Sequence, residues 1–413
     1  MRKLLRSVVV VVLLLALFPA TFAAAQSDRQ NSNSDLVPGQ LLIAFRPGTS
    51  LQQQDVVINR IGASLIFRIP QIDVAVVRVS PGQEAAALQQ LRRERTVQHA
   101  AQDVRIRSAQ IPGPNDPLWS QQWYLDFVQA RQAWNVIGSG PGRGTIIAVI
   151  DDGIDVNHPD LQGKIVDFLI APGVGALAPN NNNDGRHGTH VAGTAAAATN
   201  NGIGVAGICP TCRILAIRAY SDVLPQGSVG TAAWAITEAA DRGARVINMS
   251  FGFQTPNDFP SIKPIGDRAL AYAARRGVVL VAAAGNDSLS FPRGFPQSNP
   301  LVINVAALTP SGSKADFSRW GRWVAIGAPG VQILAPVRGG GYEALQGTSM
   351  ASPIVAGIVG LIFESGICST ADCARTRLLT SATVHPGLNR YWPGGRIVNA
   401  CRAVTNEWWR CAN

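Results

Sequence analysis

The arrangement of apolar and polar positions predicts the main elements of the chain from about residue 111 onward. Short continuous apolar runs, typical of strands buried on both faces, recur between longer alanine-rich segments with helical spacing. This alternation is typical of a doubly wound, mainly parallel α/β sheet with helices on both faces. The predicted strands are 145–150, 213–219, 244–249, 278–283 and 301–306, and the predicted helices are 187–199, 227–242, 265–276 and 354–362.

A smaller unit with another pattern precedes this domain. Strand-like runs at 41–45, 65–69, 74–79 and 97–106 are interrupted by helix-like segments at 51–61 and 84–95. Turn residues such as Pro47-Gly48 and Pro81-Gly82 separate them. The sequence therefore predicts a small α+β unit at 36–110, followed by one large α/β domain at 111–413.

The first 35 residues carry export and linker signals. A basic start from Met1 to Arg6 is followed by an apolar run at 8–18, then Pro19 and small residues at 23–25. This pattern is typical of a secretory signal peptide, residues 1–25, and the polar stretch at 26–35 is typical of a linker. The apolar run is shorter than the roughly 20 residues of a spanning helix, although an uncleaved anchor is the alternative. We expect a secreted, extracellular protein without a stable membrane anchor.

The charge excludes one class of partner. The formal net charge of the whole chain is +10. Residues 111–413 hold 23 Lys and Arg against 19 Asp and Glu, which leaves +4, and the basic residues are spread along the chain. A nucleic-acid-binding domain would cluster basic residues with aromatic ones, and no such run occurs. We therefore expect no nucleic-acid partner.

Three motifs place a carboxylate, an imidazole and a hydroxyl at the ends of predicted elements. Asp151 ends an apolar strand, and His187 begins an alanine-rich helix. Ser349 lies just ahead of the apolar run 354–362, in the first turn of the buried helix that this run predicts. Open α/β sheets build their sites at the carboxyl ends of strands, and the N–H groups of a helix's first turn suit an anion. Taken alone, Asp151 could be a helix cap or a turn residue, and Ser349 and His187 are better explained by a helix cap and by a structural role.

Together the three residues supply an acid, a base and a nucleophile. A serine hydroxyl becomes nucleophilic when a histidine takes its proton, and a buried carboxylate orients that histidine. The chain order Asp, His, Ser is the order of the subtilisin triad. The combination predicts nucleophilic catalysis by Ser349, with His187 as base and Asp151 as the orienting acid.

These motifs resemble the signatures of the subtilisin-like serine proteases. They are Val-Ile-Asp-Asp-Gly at Asp151, His-Gly-Thr-His-Val-Ala-Gly from His187, and Gly-Thr-Ser-Met-Ala-Ser-Pro at Ser349. A fourth match, Val-Ala-Ala-Ala-Gly-Asn, ends at Asn286, and the resemblance implies that Asn286 completes an oxyanion hole with the Ser349 N–H. The resemblance spans residues 115–404 and implies a monomeric serine endopeptidase that forms an acyl-enzyme with peptide or protein substrates.

The same resemblance implies where substrate binds. The segment Val-Ile-Asn-Met-Ser-Phe-Gly resembles the edge that pairs with an extended substrate and walls the specificity pocket. Binding as an added strand, mainly through backbone hydrogen bonds, favours broad specificity. The segment 287–296 does not match the family clearly, so one wall of the pocket is not predicted. The implied substrate-binding residues are Ser250, Phe251, Gly252, Ala283, Ala284 and Gly285.

The unit at 36–110 resembles, more loosely, the inhibitory prodomain of the same family, from its opening Val-Pro-Gly-Gln-Leu onward. The resemblance implies a zymogen whose own prodomain assists folding and then blocks the site. It places the self-cleavage region within 105–112.

Oxygen-rich turns resemble parts of the strong calcium site of this family. Calcium prefers carboxylate and carbonyl oxygens, so the residue types suit it, although ordinary turns are the alternative explanation. The resemblance implies one structural calcium ion, bound by the side chains of Asp116, Asp160 and Asn201 and by the carbonyls of Thr199, Ile203 and Val205.

Six cysteines lie within 111–413, and an even number in an exported chain indicates disulfides. Fifteen pairings are possible, and the spacing suggests local pairs without fixing them. Cys209-Pro-Thr-Cys212 could be half of a zinc site, but a second such motif is missing.

Two charged residues depart from the family pattern. Arg186 precedes His187, where a cation disfavours imidazolium unless Asp184 pairs with it or it points to solvent. Asp152 follows Asp151, where two carboxylates repel each other unless Asp152 has a partner. Both bear on the pH optimum. Two other hypotheses remain: a catalytically silent scaffold, which would lack a triad member, and a narrow processing protease, which would show acids near the cleft or an appended domain.

Overall fold

The computed structural model forms two compact units, which are described separately. The described residues are 36–104, 113–138, 142–179, 181–224, 226–252, 259–292 and 294–411, with backbone only at 259. The predicted signal peptide, the linker and the self-cleavage region lie outside them.

The N-terminal unit is a four-stranded antiparallel sheet with two helices. Its order is β2-β3-β1-β4. Alternate residues of β1 are buried, including Leu41, Ile43 and Phe45, which explains the apolar pattern of this segment. The strands are β1 Leu36–Phe45, β2 Ser64–Ile69, β3 Val74–Arg78 and β4 Val97–Val104, and the helices are α1 Leu51–Arg60 and α2 Glu84–Leu91.

The first strand begins five residues earlier than predicted. The strand runs through Pro38 and Gly39, with an irregular register between Leu36 and Leu41. Gly39 has φ +72°, a conformation that glycine adopts readily, so the irregularity is accommodated there.

The second unit contains a nine-stranded sheet in the order β16-β17-β13-β12-β11-β10-β5-β7-β6. All neighbours pair in parallel except β16 with β17. Its strands are β5 Ile146–Asp151, β6 Ile165–Ile170, β7 Arg213–Arg218, β10 Val246–Met249, β11 Val279–Ala283, β12 Val302–Leu308, β13 Ile326–Pro329, β16 Thr383–Val384 and β17 Arg396–Ile397. Two short hairpins complete it, β8 Tyr220–Ser221 with β9 Gln226–Gly227, and β14 Ile333–Val337 with β15 Gly341–Leu345.

The predicted doubly wound, mainly parallel sheet is confirmed. Strands β10 to β13 are buried along their whole length, which is why they read as continuous apolar runs. Strand β6 was not predicted, because it lies at the sheet edge, contains Asp167 and is only half-buried.

The helices of the second unit cover the sheet. They are α3 Trp123–Phe127, α4 Ala130–Ile137, α5 Arg186–Ala196, α6 Val229–Asp241, α7 Phe259–Arg275, α8 Thr348–Ser365, α9 Ala371–Thr380 and α10 Ala400–Val404. Helix α8 packs against α5 and strands β10 to β13. It is long and apolar enough to cross a membrane, but 89% of it is buried inside this unit, so its composition is that of a core helix.

The described cysteines form three local disulfides, as the spacing suggested. They are Cys209–Cys212, Cys368–Cys373 and Cys401–Cys411. The first accounts for the motif that could have been half of a zinc site.

The sheet order brings the motifs to one place. From β5 the chain adds β7 on one side and later β10 on the other, so the order of winding reverses next to β5. Ligand sites of open α/β sheets form outside the carboxyl ends of strands at such a reversal. Asp151 ends β5, Ser250 follows β10, and helices α5 and α8 both begin at this edge.

Candidate active site

Asp151 is fully buried, and three donors converge on one of its oxygens. Its Oδ1 accepts hydrogen bonds from His187 Nδ1 at 2.7 Å, from the Asp152 N–H at 2.9 Å and from the Tyr220 hydroxyl at 2.9 Å. Its Oδ2 is buried and has no hydrogen-bond partner among the described residues. The arrangement fixes the carboxylate and directs it at the histidine ring.

His187 is the second residue of helix α5, and Asp152 holds the start of that helix. The Asp152 carboxylate accepts from the backbone N–H groups of Gly185 at 3.0 Å and Gly188 at 2.7 Å. Free N–H groups at a helix start stabilise a carboxylate. Helix α5 also lies very close to the acid loop, because a Cβ on Gly188 would stand 2.1 Å from the Gly153 carbonyl oxygen. The partner that Asp152 needed is therefore this helix start.

Burial and neighbouring charges shift the pKa values of His187 and Asp152. Burial lowers the pKa of His187, but the Asp151 carboxylate, its hydrogen bond and the charges of Asp152 and Asp222 together raise it to about 9. Burial and the Asp151 charge raise the pKa of Asp152 to about 8. A histidine held this way is readily protonated by a neighbouring hydroxyl, because its cationic form is favoured.

Ser349 lies in the first turn of α8, as predicted, after Gly347. Its hydroxyl donates to the Ser250 carbonyl at 3.1 Å, and the Ser250 hydroxyl donates to the Ser349 carbonyl at 2.9 Å. This reciprocal pair ties the start of α8 to the segment after β10. The nucleophile candidate therefore stands between the predicted substrate edge and the helix start.

Asn286 is oriented by Thr348, which the sequence analysis did not single out. The Asn286 Oδ1 accepts from the Thr348 N–H at 2.9 Å and from its hydroxyl at 2.8 Å, and the Thr348 hydroxyl accepts from the Gly285 N–H at 2.9 Å. The amide oxygen is thus occupied, which leaves the Nδ2 donor. A Cβ on Gly347 would stand 3.3 Å from this nitrogen, so glycine keeps the space beside it open.

A cavity of about 280 Å³ opens beside Ser349. Five of the six predicted substrate residues line it, whereas the side chain of Ala284 is buried in a hydrophobic cluster. Gln297, which is 3% exposed, spans the cavity wall by donating from Nε2 to the Phe251 carbonyl at 2.8 Å and the Ala283 carbonyl at 2.9 Å. Gln297, the Arg319–Asp287 ion pair and Thr348 are the lining residues that the sequence analysis missed.

The other charged departure, Arg186, has a distant partner. Arg186 pairs with Glu343, with Nη2 and Oε2 2.5 Å apart, and not with Asp184 as the sequence analysis suggested. Asp184 instead pairs with Arg218, and both side chains are fully buried. The Arg186 charge is therefore partly balanced by a carboxylate on the hairpin β14–β15.

The residues of the expected calcium site lie together. Asp116 and Asp160 are fully buried, and among the described residues no lysine or arginine forms an ion pair with either. Burial raises the pKa of Asp160, and the Asp116 charge adds to this. Asn201 turns its Nδ2, rather than its oxygen, toward Asp160 Oδ1 at 2.8 Å. Two buried carboxylates that repel each other fit a bound calcium ion, and Asn201 would have to turn its amide over to join them.

Comparison with known proteins identifies the family. The model of the subtilase family matches residues 142–393, and that of the fervidolysin N-terminal prodomain matches residues 22–102. The chain therefore belongs to the subtilase family of serine proteases and carries an N-terminal prodomain.

Named relatives agree with this assignment. The chain is 40% identical to thermitase of Thermoactinomyces vulgaris over 295 residues, which cover 70% of this chain and 99% of the relative. It is 33% identical to the thermophilic serine proteinase of Bacillus sp. strain AK1 over 412 residues, 95% of this chain and 96% of the relative. A solved protease of Pseudoalteromonas arctica matches 71% of this chain and 99% of its own, with a TM-score of 0.60 and 29% identity.

Proposed function

We propose that this chain is a secreted serine endopeptidase of broad specificity, made as a zymogen that processes itself. Asp151, His187 and Ser349 are its catalytic triad. The observation that carries the proposal is the 2.7 Å hydrogen bond between Asp151 and His187 Nδ1, at the same sheet edge as Ser349. A scaffold without catalytic activity would not require a buried carboxylate directed at a histidine ring.

The chemistry follows from the positions of these groups. Ser349 turns its hydroxyl from the Ser250 carbonyl toward His187 and attacks the peptide carbonyl, while His187 Nε2 takes the proton. Asp151 stabilises the imidazolium through Nδ1, and Asn286 Nδ2 with the Ser349 N–H holds the oxyanion. His187 then protonates the leaving amine, an acyl-enzyme remains on Ser349, and water activated by His187 releases the second product.

Substrate binds as an added strand along Ser250 to Gly252, with one side chain in the 280 Å³ cavity. Backbone hydrogen bonds then supply most of the contacts, which supports broad specificity.

The zymogen proposal rests on the N-terminal unit. A prodomain at 36–110 that remains in the cleft after cleavage within 105–112 would inhibit the enzyme until it is removed. The export signal in residues 1–25 and the three disulfides support secretion. We expect the mature enzyme to be a monomer without a membrane anchor.

The test is self-processing. Residues 26–413 are expressed in an oxidising compartment with calcium, as wild type, Ser349→Ala and the surface control Ser369→Ala. Wild type and the control should shorten to a start near 105–115 and digest casein, while Ser349→Ala stays full length. If all three stay full length and leave casein intact, the protease proposal fails and the silent scaffold replaces it.

A structural calcium ion at Asp116 and Asp160 is a separate proposal. It would balance the two buried carboxylates and tie the segment before α3 to the loop after α5. Chelator should lower the melting temperature of full-length Ser349→Ala, whereas Asp116→Asn should melt low with or without chelator. An unchanged melting temperature in chelator would contradict the calcium proposal without affecting the triad.

A further inference from the structure

Tyr220 contacts the candidate triad, and the proposed reaction does not yet use it. It opens strand β8, separated by one residue from the end of strand β7, which pairs with the strand β5 that Asp151 ends. Its hydroxyl donates to Asp151 Oδ1 at 2.9 Å, the same oxygen that accepts from His187 Nδ1 at 2.7 Å. A change at Tyr220 therefore acts on the acid that orients the histidine.

The ring of Tyr220 is held in place from two sides. Gly227 on the paired strand β9 has φ +115°, and a Cβ there would stand 2.3 Å from Tyr220 Cβ, so the two strands meet without a side chain between them. The ring of Phe251 packs edge-on against it, with centroids 5.7 Å apart and planes at 69°. The hydroxyl thus reaches Asp151 from a fixed ring and not from a mobile side chain.

The protonation state of Tyr220 suits a permanent donor. Burial and the Asp151 carboxylate raise its pKa well above the usual value for tyrosine, so the hydroxyl keeps its proton wherever the enzyme works. A neutral donor on a carboxylate stabilises the charged form and weakens its pull on other protons. Because Tyr220 and His187 share Oδ1, the tyrosine moderates how strongly Asp151 holds the proton on His187.

We propose that Tyr220 is a positioning residue, whose hydroxyl fixes Asp151 and limits the basicity of the Asp151–His187 pair. The inference rests on the proposed function, because it concerns the same triad. Other titratable and charged groups lie near Asp151 and His187, so a test should leave these residues unchanged. They are Asp152, Asp222, Arg186, His190 and the Asp184–Arg218 pair.

The test compares Tyr220→Phe with a matched control. Tyr272→Phe removes the same kind of bond, a tyrosine hydroxyl donating to Asp241 Oδ1 at 2.7 Å, on the pair of helices α6 and α7. In Tyr220→Phe we expect kcat to fall about tenfold with KM unchanged, because one hydrogen bond to a charged group is lost. The acidic limb of kcat/KM should move to higher pH by about half a unit or more, because His187 then holds its proton more strongly.

The outcomes separate the inference from the proposed function. If wild type and Tyr272→Phe do not cleave peptides, the proposed function fails first. If they cleave and Tyr220→Phe matches them in kcat and in the acidic limb, the positioning role is wrong. A variant that melts lower than wild type but keeps the same limb also contradicts it, because a merely structural role would not move the limb.

A second measurement does not need turnover. In full-length Ser349→Ala, the proton between His187 Nδ1 and Asp151 should give a far-downfield proton resonance. Adding Tyr220→Phe should shift this resonance, because Oδ1 loses a competing donor, whereas adding Tyr272→Phe should not. An identical resonance in all three proteins would overturn the inference.

Discussion

Two buried carboxylates in this enzyme are held in opposite ways. Asp184 uses both oxygens: Oδ1 accepts from Arg218 at 2.9 Å and Ser221 at 3.0 Å, and Oδ2 from Ala178 at 2.7 Å and Arg218 at 3.2 Å. Asp151 gathers its donors on Oδ1 and leaves Oδ2 buried without a partner among the described residues. Asp184 is paired with the guanidinium of Arg218, whereas Asp151 faces the ring of His187, which can gain or lose a proton and whose pKa is raised to about 9.

The difference separates stability from catalysis. A buried carboxylate and a buried guanidinium depend on each other for the stability of the folded state, because removing either one leaves the other as an uncompensated buried charge. A carboxylate directed at an imidazole lowers the energy of the imidazolium, which in the proposed reaction forms when Ser349 gives up its proton. If this comparison holds, replacing Asp151 should mainly lower the catalytic rate, and replacing Asp184 should mainly lower the stability.

The largest effect is expected from Asp151→Asn. The amide would favour the wrong tautomer of His187, so kcat should fall by about 10⁴, the size of loss known for Asp-His-Ser proteases. The melting temperature, measured in the Ser349→Ala background at or above about pH 9, where the raised pKa of His187 no longer favours the folded state, should stay close to that of the parent. A large loss of stability with little loss of rate would reverse the comparison.

The next effect is expected from Asp184→Ala, on stability. The change leaves Arg218 buried without its carboxylate, which should cost about 3–5 kcal/mol of unfolding free energy. Urea denaturation of the Ser349→Ala protein measures this without self-digestion. Asp184→Ala with Arg218→Ala should cost less than the sum of the single changes, because the two residues act as a pair. Strictly additive costs would mean that the pair is not the cause.

Asn286→Ala extends the comparison to the oxyanion. Thr348 donates two hydrogen bonds to the Asn286 amide oxygen, just as Arg218 donates to Asp184. The Asn286 Nδ2 donor is the group that we propose for the oxyanion. We expect kcat to fall about 10²–10³-fold with little change in KM, a size of loss measured in this same family. An increase in KM alone would show that the amide binds substrate and does not stabilise the transition state.

The pH profile sharpens the comparison further. His187 acts as a base only when it is neutral, and its pKa is raised to about 9, so kcat/KM should rise with pH up to about that value. The same shift favours the folded state below the ordinary histidine pKa of about 6.5, and this contribution is lost as pH rises toward 9. Asp222→Asn removes one raising charge and should move the limb to lower pH. An acidic limb of kcat/KM with its midpoint near pH 6.5 would show that Asp151 does not raise the pKa of His187.

The smallest effect is expected from Arg186→Ser. Arg186 and Glu343 form a half-exposed ion pair, and such pairs contribute about 0–1 kcal/mol. We expect kcat/KM to change by less than about threefold, with Glu343→Gln as the matched control. A larger change in Arg186→Ser alone would mean that its charge reaches His187.

The sequence predicted the parts of the molecule that depend on local pattern. Fully buried parallel strands read as continuous apolar runs, and the helix that begins at Thr348 reads as a long apolar segment. The positions of Asp151 and Ser349 followed, because strand ends and helix starts share one edge of such a sheet.

The parts it missed depend on partners far apart in the chain. Tyr220 reaches Asp151 across 69 positions, and Glu343 reaches Arg186 across 157. Nothing in the neighbourhood of either residue indicates its partner, so periodicity cannot reveal such pairs. The donors that hold Asp152 could have been predicted, because an acid after a strand needs donors and a nearby helix start supplies free N–H groups.

The three disulfides have a consequence for how the chain oxidises as it folds. They join cysteines only 3, 5 and 10 positions apart, and each cysteine is bonded to its neighbour in the cysteine order. Of fifteen pairings, this one closes the shortest loops. Each bond can therefore form within its own short segment, without waiting for distant parts of the chain to fold. Oxidation of this protease should need little help from an enzyme that reshuffles wrongly paired cysteines.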